Sequence, residues 1–509
     1  MDVTQILMLI TILVYLAAMV GIGAVLAKQN QTTDDFYLGG RTLGPLVTAM
    51  SAEASDMSSW LLMGLPGVAY LSGTADAAWT AIGLAIGTYV NWLVVAKRLR
   101  NYTHVCGNST TLPLFFSNRY RDNKRILSVI AALLIIIFFV PYTASGFAAC
   151  GKLFANLFGM DYLPAMLISA IVIVAYTTLG GFLAASTTDF VQSIVMTIAI
   201  VVVFGFGISK VGSFSAVIDN AKSMAGYFSL THTHDVATGT ASPYSLLQIF
   251  STLAWGLGYF GMPHVLLRFM AIGDANKLKL SRRVATVWVV ISMAVSVFIG
   301  VIGNAMTKAG VLPTLKDPET IILVVADLIS KHGVLATIIA GLILAGILAA
   351  TMSTADSQLL AASSSASQNI LKEVFMKDMS EKTGMLIARI TVLVIALIGV
   401  FIARNPDSSV FQIVSFAWAG FGASFGPLVL LALFWKRSTF QGALCGMVSG
   451  GVMVFVWKFL IRPMGGALGI YELLPAFLLG LAVNVIVSLL TPAPSREVQD
   501  EFDKVASMK

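Results

Sequence analysis

Runs of about 20 apolar residues recur from one end of the chain to the other, separated by short polar segments. A run of that length matches the hydrocarbon thickness of a bilayer when wound as a helix, so the pattern predicts a polytopic all-α membrane protein. Thirteen spans are expected, near 5–27, 43–72, 77–96, 126–151, 161–183, 190–209, 244–272, 284–307, 333–369, 385–403, 409–435, 439–461 and 470–491. Two of them, 43–72 and 244–272, are long and interrupted. One carries Gly64-Leu-Pro-Gly67, the other Gly256-Leu-Gly-Tyr-Phe-Gly-Met-Pro263. Matched glycine and proline clusters in corresponding spans point to an inverted-repeat transporter whose site lies at the breaks. Five spans counted from each give repeats of 43–209 and 244–435. The remainder is a first helix and loop (1–42), a loop (210–243), two peripheral helices (436–491) and a tail (492–509).

Composition strengthens the membrane reading. The chain is 57% hydrophobic and only 11% charged, with a net charge of +7, far from the roughly 25% charge of soluble domains. The charge has a topological explanation. Of the 32 basic residues, 23 fall in alternate loops and the tail, beginning with Lys28 and Arg41. The positive-inside bias then places the N-terminus outside and the C-terminus in the cytoplasm. An odd number of spans per repeat requires the same inversion. Met1-Asp-Val-Thr-Gln5 lacks a basic n-region, so the first run reads as a retained helix. Cys106, Cys150 and Cys445 are too scattered for a disulfide framework. Thr231-His-Thr-His-Asp235 is a weak metal pattern in a loop better read as solvated. No nucleotide-binding loop or fused signalling domain is found, which argues against a primary pump, a kinase or a sensor. Arg268 reads as a cation at a helix C-terminus.

The densest chemistry is Ser51-Ala-Glu-Ala-Ser-Asp-Met-Ser-Ser-Trp60, with two carboxylates and four serines inside an apolar span. A charge at that depth costs roughly 2.5–3.5 kcal/mol on insertion scales, a cost tolerated mainly beside a cavity that handles an ion or solute. This stretch is the expected transport site.

The motifs also resemble a known family. Leu38-Gly-Gly-Arg-Thr-Leu-Gly-Pro45, Ala54-Ser-Asp-Met-Ser58, Gly180-Gly-Phe-Leu183, Trp255-Gly-Leu-Gly-Tyr-Phe-Gly261, Met352-Ser-Thr354 and Ala417-Trp-Ala-Gly-Phe-Gly-Ala423 are similar to those of the solute:sodium symporter family, in particular its bacterial sodium/proline branch. The resemblance spans roughly residues 5–490. It implies a leucine-transporter-type five-plus-five core and coupled transport of sodium and L-proline in the bacterial inner membrane, with a monomer sufficient. Another small solute (a betaine, pantothenate or another amino acid) is the alternative, and a sodium-permeable channel is the rival of a different class.

By motif, the implied sodium ligands are the carbonyls of Ala54, Met57 and Ala350 and the hydroxyls of Ser353 and Thr354. Back-bonding of those hydroxyls within their own helix is the bland alternative. Asp56 resembles a position tied to sodium dependence, directly or by ordering the break. Asp189 resembles an acid on the ion exit path, and near Ser353 and Ser357 it would complete a second cation site; a helix cap at a loop-to-helix start is the other reading. Ser55, Ser58 and Pro263 match substrate-recognition positions. Trp255, Tyr259, Phe260, Trp60 and Tyr142 are the expected aromatic walls, while half-helix N-termini suit a carboxylate. Arg41 reads as an internal gate with acidic partners or as a simple anchor. Three residues depart from the family pattern: Glu53 for a small residue, Met262 for a polar amide, and Asp356 for a neutral residue. The two added acids are expected to alter ion choice or stoichiometry. Of Glu53→Gln and Asp356→Asn, at least one should then change the sodium affinity or the pH profile of uptake, and two unchanged variants would remove that role.

Overall fold

The computed structural model describes residues 2–28, 32–375, 380–405 and 409–508; Lys377 and Lys509, counted in the charge bias, lie outside them. Helix α1 (Val3–Ala27) starts on a reciprocal cap between Asp2 and Gln5. The first broken span follows as α2 (Pro45–Ser59), a wide turn at Trp60–Gly64, and α3 (Leu65–Ser72). Then come α4 (Thr74–Val105), α5 (Ile126–Phe158) and α6 (Tyr162–Val211). The second broken span is α7 (Leu246–Leu253), a 3-10 turn (Ala254–Phe260) and α8 (Pro263–Ala271). The chain continues through α9 (Leu278–Lys308), α10 (Ile321–Ser330), α11 (Val334–Ser364), α12 (Glu381–Ala403) and α13 (Val410–Phe434). It ends with α14 (Phe440–Val456), α15 (Leu473–Leu490) and α16 (Arg496–Ser507).

Both interrupted spans are interrupted, but the first not where its glycines stand. The backbone leaves the helix at Ser58, with φ 49° and ψ −173°, six residues before Gly64. Pro66 comes just after the wide turn of Trp60–Gly64, where it has no N–H to give the turn before it, and the Leu61 carbonyl there accepts from Ser296 Oγ instead. Gly67 instead allows close approach, because a Cβ there would lie 3.1 Å from the backbone nitrogen of Glu319. In the second span the break runs through Ala254–Phe260 to an extended Met262, and Pro263 begins α8.

A third departure lies in α6, where the expected spans 161–183 and 190–209 are joined without a loop. The only interruption is Gly181, at φ 63° and ψ −178°, a conformation that glycine adopts without steric cost. Asp189 therefore sits eight residues into a helix, which removes the capping alternative. Ten helices among the described residues are long and apolar enough to cross a membrane. The three expected spans not among the ten are the two broken ones and the part of α6 that precedes Gly181.

The core is built on α11, which packs along α6, α1, α2 and α5. On the other side of α2, the second break lies directly on α4. An added Cβ would fall 2.6 Å from the Leu253 carbonyl oxygen at Gly83 and 2.4 Å from that of Gly256 at Gly87. Loop 210–243 holds a short helix and a two-stranded ribbon pairing His232–His234 with Ala241–Pro243. His234 Nδ1 lies 2.9 Å from the Ala225 carbonyl oxygen, and no metal-ligand cluster exists among the described residues. Helix α16 docks on α4, with Phe502 over Arg98 and with Glu497 and Glu501 on Arg121. Gly87→Ala is expected to cost about 1–3 kcal/mol through overpacking. Its melting temperature in detergent should fall well below that of Gly21→Ala, whose Cβ would meet nothing within 4 Å.

Candidate functional site

The two breaks meet. Asp56 Oδ2 accepts a hydrogen bond from Tyr259 Oη at 2.5 Å, joining the first break to the second. Tyr142 on α5 donates to the Asp56 carbonyl at 3.1 Å, and Asn91 on α4 donates to the Tyr259 carbonyl at 3.1 Å. These contacts surround Ser58, whose backbone conformation costs a non-glycine residue on the order of 1–3 kcal/mol. Its hydroxyl accepts the Trp60 N–H at 3.0 Å. Glu53, one turn earlier, accepts from Trp92 Nε1 at 2.9 Å. Asp56 Oδ1 and Glu53 Oε2 are buried without a partner.

Oxygens gather at the end of α2. Ser353 Oγ donates across helices to the Ala54 carbonyl at 2.8 Å and lies 3.2 Å from that of Ala350. Thr354 Oγ1 donates to the Ala350 carbonyl at 3.1 Å, the back-bonding geometry. The Met57 carbonyl accepts the Trp60 N–H at the same helix end. This is a neutral cluster of hard oxygens, at a helix C-terminus where the macrodipole is negative. Such a set can replace a monovalent cation's water shell without binding it too tightly to release.

Beside it lies a buried cation that the sequence reading did not place. Arg268, 1% exposed, donates from Nε to Ser51 Oγ at 3.0 Å and from Nη1 to the His264 carbonyl at 3.0 Å. Its Nη2 reaches Asp189 Oδ2 at 3.1 Å and Ser357 Oγ at 2.5 Å. The second cation site expected from Asp189, Ser353 and Ser357 thus has a guanidinium between Asp189 and Ser357. Ser357 in turn donates to Asp356 Oδ1 at 3.2 Å, while Asp356 Oδ2 has no partner. Charge accounting was the available signal: Asp189 and Asp356 needed a counter-ion, and Arg268 is flanked by apolar residues on α8.

Arg41 has Asp34 near enough to act on its charge. It donates to the carbonyls of Met270 at 2.7 Å and Ser109 at 2.8 Å, tying the end of α8 to the loop after α4. Leu43 adds two backbone bonds there, to Ala271 at 3.2 Å and from Gly273 at 3.0 Å. At the opposite end Lys152 pairs with Asp317 at 2.8 Å and Glu319 at 2.9 Å. Glu319 also accepts the N–H groups of Val410 and Phe411, each at 3.1 Å, at the start of α13. Its distance from Lys152 in sequence hid this pair.

Between these ends is an aromatic cavity of about 10 Å³ lined by residues that include Asp56, Trp60, Tyr142, Trp255 and Trp418. Trp60 lies 5.6 Å from Trp255 and 5.9 Å from Phe411, and Trp255 stacks on Tyr471 at 5.0 Å. Trp418, Phe411 and Tyr471 were not anticipated. Tyr259 contacts the site through Asp56. Phe260, Met262, Pro263 and Ser55 do not line the cavity, and Ser55 Oγ turns back to the Ala52 carbonyl at 3.0 Å. Ser58 faces a second small cavity that Tyr142 also lines.

Comparison with known proteins agrees with this geometry. The sequence model of the sodium:solute symporter family matches residues 36–450. The osmoregulated proline transporter OpuE of Bacillus subtilis is 40% identical over 489 residues, 96% of each chain. The sodium/proline symporter of Escherichia coli is 41% identical, covering 97% of this chain and 95% of its own. The high-affinity proline transporter PutP of B. subtilis is 42% identical, covering 95% and 98%. Among solved structures, a Na+-coupled sialic acid symporter superposes with a TM-score of 0.79 at 19% identity over 96% of this chain and 99% of its own. MhsT in complex with L-phenylalanine gives 0.55 at 12% identity, over 88% and 99%. The fold is the all-α leucine-transporter type.

Arg268→Ala would leave Asp189 and Asp356 buried without their counter-charge. A loss of about 3–5 kcal/mol is expected, read as a large fall in melting temperature. Combining Asp189→Asn with Arg268→Gln should cost less than the sum of the two single changes.

Proposed function

The chain belongs to the sodium:solute symporter family, and on that premise we propose that it takes up L-proline together with sodium by alternating access. It is a secondary active transporter, not an enzyme. The observation that carries the reading is the contact between Ser353 Oγ and the Ala54 carbonyl at 2.8 Å, beside the strained Ser58. That contact supports a sodium site made of the Ala54, Met57 and Ala350 carbonyls with the Ser353 and Thr354 hydroxyls. Sodium would take the place of the hydroxyl hydrogens that now satisfy the Ala54 and Ala350 carbonyls and of the Trp60 N–H at that of Met57. It would fix the end of α2 and, through Asp56 and Tyr259, set the second break.

We place the N-terminus outside and the C-terminus in the cytoplasm of a bacterial plasma membrane, with a monomer as the transporting unit. The repeats are residues 43–209 and 244–435, and the bundle that rocks comprises α2 with α3, α4, α7 with α8, and α9. In this orientation Arg41, Leu43 and Arg268 form the inner seal, and Lys152 with Glu319 closes the outer end. Release to the cytoplasm separates Arg268 from Asp189 and Ser357 and parts Leu43 from Ala271. The driving force is adequate: about 100 mV contributes roughly 2.3 kcal/mol per charge and a tenfold sodium gradient about 1.4 kcal/mol. One sodium then sustains accumulation on the order of several hundredfold.

The solute assignment is tested by proline uptake into proteoliposomes with and without an inward sodium gradient, against a panel that includes betaine and pantothenate. Gradient-dependent, saturable accumulation of proline is expected; its absence would transfer the site to another small solute. Ser353→Ala and Thr354→Val should each raise the half-saturating sodium concentration about tenfold, as loss of one oxygen contact to a charged group implies.

A further inference from the structure

A second cavity, also about 10 Å³, shares Tyr142 as a lining residue with the aromatic one. Its lining is polar and uncharged, with Ser58, Ser59, Thr143, Thr354 and Gln358 among it. Two buried groups there have no partner. Gln358 Nε2 is left over after Thr143 Oγ1 has bonded Gln358 Oε1 at 3.0 Å, and Ser59 Oγ has no bond at all. Gln358 is 1% exposed and Ser59 is fully buried. On the aromatic side the unpaired atoms are the carboxylate acceptor Asp56 Oδ1 and the indole donor Trp60 Nε1. Desolvated polar atoms left unpaired cost about 1–3 kcal/mol each, so an anionic acceptor facing one cavity and only neutral groups facing its neighbour call for a bipolar ligand.

The backbone adds to this. Ser59 stands where the outer half-helix restarts after Ser58, with the wide turn and α3 running on to Ser72. Its N-terminal end bears partial positive charge. The other half of the span offers carbonyl oxygens beside the Ser353 and Thr354 hydroxyls of α11. One break thus turns an anion-seeking end and a cation-seeking end toward neighbouring spaces.

We propose that the two cavities are the two poles of a single amino-acid site. Gln358 Nε2–H and Ser59 Oγ–H donate to the solute carboxylate, and Asp56 Oδ1 accepts from its ammonium. This rests on the solute being an amino acid, as in the reading above. Gln358 supplies the amide that the sequence lacks at Met262. Each cavity is smaller than a proline, so the ring of Tyr142 or Trp60 moves to merge them. The carboxylate then lies next to Thr354, one hydroxyl away from the cation, and the two ligands attract. Each raises the affinity of the other by the same factor.

The test uses purified full-length protein in proteoliposomes, with labelled proline competed by proline and by prolinamide, which lacks the anionic pole. Wild type should prefer proline strongly. Gln358→Ala and Ser59→Ala should each raise the KM for proline about tenfold, leave inhibition by prolinamide nearly unchanged, and so collapse the ratio between them. Ser59→Ala removes no bond within the protein, which separates a ligand contact from a folding defect. Variants that keep the wild-type ratio overturn the pole assignment while wild-type proline uptake stands. A wild type that fails to accumulate proline under a sodium gradient takes down the solute reading and this inference together.

Discussion

A carboxylate and a phenol hold the centre of this molecule in shape. The Asp56–Tyr259 bond spans two helices that have both lost their backbone regularity at that depth. In hydrocarbon an unwound segment survives only if its polar groups are met by protein or by a cavity. Here Tyr142, Asn91 and Ser58 meet several of them, and the oxygens at the end of α2 are met by α11. Remove the clamp and the carbonyls needed for a cation no longer face the hydroxyls of α11. The strain at Ser58 is held by its surroundings, as strained backbone at functional sites generally is.

Polarity is distributed unevenly between the two ends. The seal near Arg268 is wholly buried, with one guanidinium shared by four elements through Ser51, His264, Asp189 and Ser357. The one at Lys152 is mixed: Lys152 and Glu319 are buried, while Asp317 beside them is more than a third exposed. Ion pairs of the first kind are expensive to break singly because the survivor stays in low dielectric. Solvated ones contribute little. The deep seal therefore needs a concerted change, in which all partners are exchanged together.

Much of this was legible in the residues. Apolar run length gave the helices, and matched glycine–proline clusters gave two broken spans. What the clusters did not give was position. Gly64 and Gly67 serve packing against Phe411 and Glu319, while the backbone turns at a serine with no preference for that conformation. Tertiary contacts at Asp56 decide it, and those involve residues about 90 and 200 positions away. Gly181 was read as part of a motif without its kink, so a loop was inferred where the helix runs on. Arg268 was assigned to a helix end because local rules see a cation in a last turn. Only the count of buried acids on α6 and α11 would have moved it inward.

The glycine contact between α4 and the second break has a mechanical consequence. At Gly83, Gly87 and Gly256 main chain touches main chain with no side chain interposed. Such a surface has nothing to interlock, so it resists compression yet offers little friction to rotation. It has the form of a journal bearing pinned at one place: Asn91 of α4 holds the Tyr259 carbonyl at 3.1 Å, and a turn of the segment about that point keeps its distance from the helix axis constant.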